Sequence, residues 1–334
     1  MRYLPDLLIS LRAQTFQDFS VLVIDNASTD GMIEFLRNEH PEVSVIRNTN
    51  NTGFAGAHNQ GIKYALHAWR GNDLKNRYIL VTNPDIIFTP DCLLRLVEEA
   101  DITGEQCASL GAKLLRVTRE GEEPITVTTR TAIIDSTGLL VRRSRRVTDR
   151  GAGEVDNGQY DERREVFGVS GALALYRASA LESVRVHDDY FDAAFFAYKE
   201  DADIAWRLRL AGFEACFVPS AVAYHFRRAG GRDKSGILEW LKNHRRKSPL
   251  INFYSYRNHL ALLLKNEHLV NVFLDAPWIV SYEISKFISL LFLEPRTLAG
   301  IFSFFKMMPE WYAKRRAIIA KRHISAKEMR KWLR

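Results

Sequence analysis

The sequence predicts an α/β fold, and three observations carry that prediction. Short apolar runs rich in β-branched residues recur at residues 19–24 (FSVLVI), 43–46 (VSVI) and 78–82 (YILVT), the pattern of buried parallel strands. Each run ends in a cluster of Asn, Asp, Ser, Gly or Pro. A helix-period segment follows each cluster. Open α/β sheets bind ligands beyond the carboxyl ends of their strands, so these three clusters are where function is expected. At 334 residues, with 46% hydrophobic and 26% charged residues, the chain has room for one large or two medium domains with a sizeable core.

The elements follow in order. Leu4, Leu7, Leu8 and Leu11 recur at helical spacing behind Pro5 and Asp6, which predicts an amphipathic helix almost at the first residue. The first strand runs into Asp25-Asn26-Ala27-Ser28-Thr29-Asp30-Gly31. There Asp25 is placed to accept from the N–H of a base, while a plain turn with a cap for a helix near Met32 accounts for the rest. The second strand leads to Asn51, Gly53, Gly56 and Asn59, whose glycines permit close backbone approach ahead of a helix to about Trp69. This spacing is not a G-x-G-x-x-G fingerprint. The third strand ends in Asn83-Pro84-Asp85, either a proline turn before a helix at 91–100 or a hard oxygen ligand, Asp85, for a divalent cation. A strand at 109–116 precedes a polar, Gly-dotted stretch, 117–167. That stretch has β-like runs at 125–129 and 138–141 and reads as an irregular flap beside an acceptor. Gly171 and Ala172 then open an apolar strand-to-helix passage.

The densest chemistry lies at 191–225. Glu200, Asp201 and Asp203 follow the aromatic run Phe195-Phe196-Ala197-Tyr198. They start a helix whose inner face is Ile204, Leu208 and Ala211 and whose stop is Gly212. Acids in a first turn are ordinary helix punctuation. A carboxylate beside apolar walls, however, has its pKa raised toward that of a useful base. An apolar segment at 215–218, Pro219 and a lone His225 complete what looks like one wall of an active site.

Beyond His225 comes a basic loop: Arg227, Arg228, Arg232, Lys234 and Arg245-Arg246-Lys247. It is either solvated or ordered over a diphosphate. From Phe253 the pattern is helical, with a stripe of Tyr256, Leu260, Leu263 and Leu264 beside Arg257 and Asn258. Residues 270–305 are the most apolar part, but Asp275, Glu283, Lys286, Glu294 and Arg296 interrupt them. Helices lying in a membrane interface, flanked by Trp278 and Trp311, fit better than a span. The net charge of +7 is concentrated at 306–334, where ten Lys/Arg stand against two Glu. That distribution points to an anionic membrane surface, and no nucleic-acid partner is expected. Cys92, Cys107 and Cys216 form no metal-ligand spacing and suit inert packing in a reducing cytosol. No long apolar run follows Met1, which argues against a signal peptide. Oligomerisation is left open.

The order F-x-x-x-F-F-x-Y-x-E-D-x-D-x-x-x-R-x-x-x-x-G, then P-x-A-x-x-x-H, resembles the family 2 glycosyltransferases of bacterial cell-surface polysaccharide assembly, in particular their rhamnosyltransferase-like branch. The resemblance implies a GT-A domain, the Rossmann-like nucleotide-diphospho-sugar transferase fold, over residues 1–230. A helical membrane-associating region, 231–334, would follow. It implies Asp201 of the Glu200-Asp201 pair as catalytic base. Asp25, Asn26 and Ser28 would hold base and ribose, Asn51, Gly53 and Asn59 would lie along the nucleotide, and Gly171 and Ala172 would line the donor pocket. Asp85 and His225 would ligate Mg²⁺ or Mn²⁺. Where relatives have D-x-D, this chain has Asn83-Pro84-Asp85, which leaves Asn83 at most a neutral helper.

The reaction implied is inverting transfer from a nucleotide sugar, such as dTDP-rhamnose, to a polyprenyl-diphosphate-linked glycan. Its setting would be the cytoplasmic face of the plasma membrane. A nucleotidyltransferase and a non-catalytic membrane-surface protein are the alternatives. The family also begins with a buried strand that this sequence lacks. Met1 is therefore expected to be an internal methionine of a longer protein, and the edge of the strand at 21–24 is expected to be unpaired.

Overall fold

The computed structural model describes residues 1–120, 127–162, 164–226 and 249–334. The expected strands are present, but they divide between two sheets. Strands β1 (Leu22–Asp25) and β2 (Ser44–Arg47) pair in parallel with Leu22 opposite Ser44. The larger sheet is built from β3 (Tyr78–Thr82), β4 (Ile86–Phe88), β5 (Cys107–Glu120), β6 (Val127–Ser136), β9 (Leu173–Arg177) and β10 (Glu214–His225). Its order is β3-β9-β5-β10-β4, with β6 on β5. Only β10 and β5 are parallel; β9 runs antiparallel to both β3 and β5. The third strand is thus not a parallel neighbour of the first two.

Among the described residues β1 pairs only with β2, and β3 only with β9. The free edge expected on β1 is there, and β3 has a second one. Helix α3 (Gly53–Ala68) packs on both strands and joins the sheets by side chains instead of a ladder. Val23, Tyr78 and Leu80 remain only partly buried.

On one face of the large sheet, α1 (Leu4–Arg12) sets its four leucines against Ile86 and Phe88 and against Leu93, Leu96 and Ala100. The last three lie on helix α4 (Cys92–Thr103). At roughly 1.5–3 kcal/mol per buried side chain, that stripe is what anchors so short a helix. A second helix, α2 (Met32–Glu39), adds Met32 and Leu36. The other face carries α3, α5 (Ala178–Ser183) and α6 (Glu200–Leu210) around Ile62, Tyr176, Leu208 and Phe217. The flap is a hairpin of β5 and β6 with a smaller ribbon, β7 (Leu139–Val141) and β8 (Val147–Asp149). Cys107 and Cys216, distant in sequence, meet inside with their sulfurs 2.7 Å apart.

The C-terminal helices are α7 (Pro249–Asn266), α8 (Leu269–Leu274), α9 (Ala276–Leu293), α10 (Ala299–Lys306), α11 (Met308–Ala320) and α12 (Ala326–Arg330). The expected stripe of α7 is only partly inside: Tyr256 is buried, with Ala261 and Leu262 beside it. Leu260, Leu263 and Leu264 are half-exposed, while Arg257, Asn258, Lys265 and Asn266 are buried. The reason is ionic. Lys265 meets Asp203 at 2.9 Å and also pairs with Asp192, which Lys314 contacts at 2.6 Å. Nearby, the fully buried Arg145 pairs with Glu267 and, at 2.9 Å, with Asp275. Arg143 and Arg330 reach Asp275 as well. Charges removed from water this completely persist only when paired in this way.

Two expectations about the membrane helices are corrected here. Trp311 is fully buried, edge-on to Phe195, and cannot flank an interface. Much of the basic tail turns inward too: Lys314, Arg315, Lys321, Arg322 and Arg330 all bond within the protein. The apolar surface, in contrast, is outside. Leu269, Val270, Phe273, Val280, Ile284, Phe287, Ile288, Leu291, Phe292, Phe302 and Phe305 are exposed along α8, α9 and α10. Helix α9 is long and apolar enough to cross a membrane by length and composition alone, although Glu283 and Lys286 lie within it. Glu283 fastens one face of α9 to α7 through His259 at 2.7 Å. The basic loop and the boundary at 230 lie outside the described residues.

Candidate active site

The three acids of α6 have three different surroundings. Asp203 is buried and fully committed, bonded to Arg207 at 3.0 Å, to Lys265 and to Asn266, so it holds α6 to α7. Glu200 is also buried, and its Oε2 has no hydrogen-bond partner. Burial, reinforced by the neighbouring charge of Asp201, pushes its carboxyl up to about 8. Asp201 is only half-buried, and its Oδ2 accepts from the Gly171 amide at 3.3 Å. Of the pair, Glu200 is the more buried and the one whose surroundings favour its neutral form, while Asp201 is the more accessible.

Gly171 has little room for a side chain, because a Cβ would sit 3.1 Å from Asp201 Cβ. The next residue, Ala172, accepts from the Asn83 amide at 2.9 Å. One dipeptide thus stands between Asp201 and the Asn83-Pro84-Asp85 turn. There Asp85 Oδ1 is buried, lacks a hydrogen bond, and lies 3.3 Å from His225 Nε2. Asp85 and His225 are brought together because β10 carries His225 to the edge where β4 begins, with His225 opposite Ile86.

Sequence reasoning missed the third member, Asp135 on β6, whose Oδ2 is 2.8 Å from His225 Nδ1. Nothing local marks Asp135; only the β5–β6 pairing delivers it. Burial by itself would lower the His225 pKa. The hydrogen-bonded carboxylate of Asp135 and the nearby carboxylate of Asp85 outweigh it and raise the pKa to about 9. Among the described residues no cluster of three or more candidate ligands stands ready for a metal. The donor set nevertheless suits one: an orphaned carboxylate oxygen beside an imidazole nitrogen, with the other ring nitrogen held by a carboxylate.

The nucleotide-side residues are more structural than expected. The Asp25 side chain is buried, with Oδ1 accepting from the Ser28 amide at 2.8 Å and Oδ2 facing Arg47 at 3.5 Å, so it shapes the turn. Asn59 is used up: its amide bonds Phe191 O at 2.7 Å and accepts from Tyr190 and Phe191. Asn59 is thus held by backbone groups, whereas Asp25 keeps one buried oxygen, Oδ2, without a hydrogen bond. Asn26 ties the first turn to the second, donating to Gly53 O at 3.1 Å and accepting from Asn48 and Thr52. Asn51 accepts from the Gly53 amide at 2.8 Å. Gly53 has φ +74°, and a Cβ there would lie 2.4 Å from Phe196 O, so only glycine fits. The turn bearing Ser28 and the loop bearing Gly53 thus form one unit, which abuts the loop before Glu200.

Known proteins resemble this chain in sequence and in fold. The N-acetylglucosaminyl-diphospho-decaprenol L-rhamnosyltransferases of two strains of Mycobacterium tuberculosis are each 28% identical over 257 residues, 71% of this chain and 76% of theirs. The solved structure of GalNAc-T7 with UDP, GalNAc and Mn²⁺ superposes with a TM-score of 0.53 at 12% identity. It matches 79% of this chain, which spans 45% of that one, and it identifies the fold as GT-A. The family model for glycosyl transferase family 2 matches residues 2–185, more than half of the chain. With an acid pair at the head of α6 and a carboxylate–histidine pair at the strand ends, this chain belongs to glycosyl transferase family 2 and is a rhamnosyltransferase-like glycosyltransferase.

Proposed function

We propose that the protein transfers a deoxyhexose such as rhamnose, with inversion, from a nucleoside diphosphate sugar such as dTDP-rhamnose to a lipid-linked glycan acceptor. The observation that carries this reading is the Gly171-Ala172 dipeptide, bonded to Asp201 by one amide and to Asn83 by the next carbonyl. It sets a base and a diphosphate site on either side of one small-residue strand entry. In the reaction, Asp201 takes the proton of an acceptor hydroxyl, whose oxygen bonds to the anomeric carbon as the bond to the diphosphate breaks. Asp85 and His225 would hold a divalent metal, which supplies charge neutralisation to the leaving diphosphate. Asp135 fixes the His225 ring so that Nε2 faces Asp85. Protonated Glu200 keeps a second negative charge away from Asp201.

The exposed apolar side chains of α8, α9 and α10 support docking on the inner face of the plasma membrane, where a lipid-linked acceptor would be found. Helix α9 would lie in the interface, since Glu283 ties one of its faces to the protein. The test is transfer from radiolabelled dTDP-rhamnose, with UDP- and GDP-sugars in parallel, to a polyprenyl-diphosphate-linked GlcNAc in the presence of Mn²⁺. Labelled lipid together with released nucleoside diphosphate supports the reading. Nucleotide-sugar binding without turnover would show a binding protein, and consumption of a nucleoside triphosphate would show a nucleotidyltransferase.

A further inference from the structure

The turn before the acid pair is an unlikely one for its sequence. Phe196, Tyr198 and Lys199, none of them glycine, all have positive φ: 62°, 71° and 72°. Side chains rarely adopt this conformation unless surrounding structure imposes it. Lys199 is the residue from which α6 starts, and its carbonyl accepts from the Asp203 amide at 2.9 Å. Whatever holds this turn therefore sets the first turn of α6, which contains Glu200 and Asp201.

We propose that Asn258 of α7, braced by Arg257, is the positioning residue that holds this turn and so places Asp201. The Asn258 side chain is fully buried, and its Nδ2 lies within hydrogen-bond distance of three successive targets. These are Phe195 O at 2.8 Å, Ala197 O at 3.0 Å and Tyr198 O at 2.8 Å. The two hydrogens of one amide group are thus shared among three carbonyls of the turn, of which Phe195 O also accepts from the Ala197 amide at 2.7 Å. Its orientation is fixed in turn, because Asn258 Oδ1 accepts from Arg257 Nε at 3.1 Å and Nη2 at 2.9 Å. Arg257 Nη2 also donates to Ala194 O, at the start of the same segment. Tyr254, from the same helix, stacks on Phe196.

The turn also faces the nucleotide side: Phe196 O accepts from the Ala55 amide at 3.1 Å and closes over Gly53. On either side of the Arg257-Asn258 pair, Tyr256 and His259 both reach Glu283 of α9. Four consecutive residues therefore link the exposed apolar helix, the catalytic turn and the loop expected to carry the nucleotide. The inference rests on the transferase reading for its kinetic consequence, but not for its structural one.

The test uses the full chain with Asn258→Asp, which keeps the shape and replaces the donor by an acceptor, and with Asn258→Ala. Three quantities are measured: kcat with dTDP-rhamnose, the affinity for dTDP with Mn²⁺, and amide hydrogen exchange. A fall in kcat of about 100-fold is expected, the usual effect of a misplaced catalytic group. The dTDP affinity should stay within about threefold, because Asn26 and Asn51 hold the Gly53 loop independently. Exchange over residues 195–202 should rise at least about tenfold while that of β5 and α4 is unchanged. Unchanged local exchange and kcat in a folded variant would overturn the proposal. So would equal losses of kcat and dTDP affinity with faster exchange everywhere, which is the signature of a merely structural residue. Should both variants fail to fold, Arg257→Lys carries the same comparison with a milder change. If the wild type itself transfers nothing, the transferase reading fails, and local exchange alone still decides whether Asn258 holds the turn.

Discussion

Two buried groups, Glu200 and His225, have their pKa raised, to about 8 and about 9, for opposite reasons. Glu200 is raised by burial and by the like charge of Asp201, so its shift marks an ion the fold resists. For His225 burial works the other way, and Asp135 and Asp85 overcome it, so its shift marks an ion the fold favours. The difference teaches what each wall of the site is built for. The α6 wall favours the neutral form of Glu200, which in the proposed mechanism leaves Asp201 to serve as base. The strand-end wall gathers the carboxylates of Asp85 and Asp135 about His225, where the proposed mechanism would hold a cation.

The comparison breaks most sharply at the cation wall. Asp85→Ala should lower kcat/KM by about 10³-fold, the order of several kcal/mol that a metal contributes at a leaving diphosphate. Retention of Mn²⁺-stimulated activity would remove Asp85 from the site. Asp135→Ala acts one step further out. It should weaken Mn²⁺ binding, followed by calorimetry with dTDP present, by about 10–100-fold. An unchanged affinity would mean that Asp135 merely fills space.

Stability as a function of pH sharpens the contrast. Between pH 4.5 and 8 the unfolded chain releases a proton that folded Glu200 retains, so wild-type stability falls across that window. Glu200→Gln should therefore be more stable than wild type, with a gain that grows up to about pH 8, on the order of a few kcal/mol. For His225 the pH slope has the same sign, because its folded pKa is also raised, but substitution has the opposite effect. Its contribution is fully present below about pH 6.5 and is lost as pH rises through about 9, so His225→Gln should destabilise most at the low end. Parallel urea titrations of the two variants without metal would reveal a common sign if this assignment of causes is wrong. The smallest effect is expected at the membrane face. Because five of the tail's cations are bonded inward, salt should weaken binding to anionic vesicles only modestly, while Phe292→Asp with Phe302→Asp should weaken it strongly. Dominant salt sensitivity would restore the tail as the main anchor.

What could be read in advance was whatever is local. The leucine spacing of α1, the apolar run of β3 and the helix stop at Gly212, which has φ +90°, all depend on neighbours in sequence. The acids at the head of α6 were visible for the same reason, and so was the free edge of β1, because family topology made it conspicuous. What stayed hidden depends on distant partners. Asp135 reaches His225 only through strand pairing across 90 residues. The polar residues buried on α7 could not be recognised as such, because Lys265 is tolerable inside only beside Asp192 and Asp203. Asn59 carried a motif's signal, yet its side chain is taken up by the backbone around it.

The division of labour within the acid pair is the central claim, and paired kinetics of Asp201→Asn and Glu200→Gln test it directly. With nucleotide-sugar binding confirmed in both variants, Asp201→Asn should lose transfer by about 10² or more, the size of a general-base contribution. Glu200→Gln, which mimics the protonated state, should keep most of it. An inactive Glu200→Gln beside an active Asp201→Asn would contradict the account.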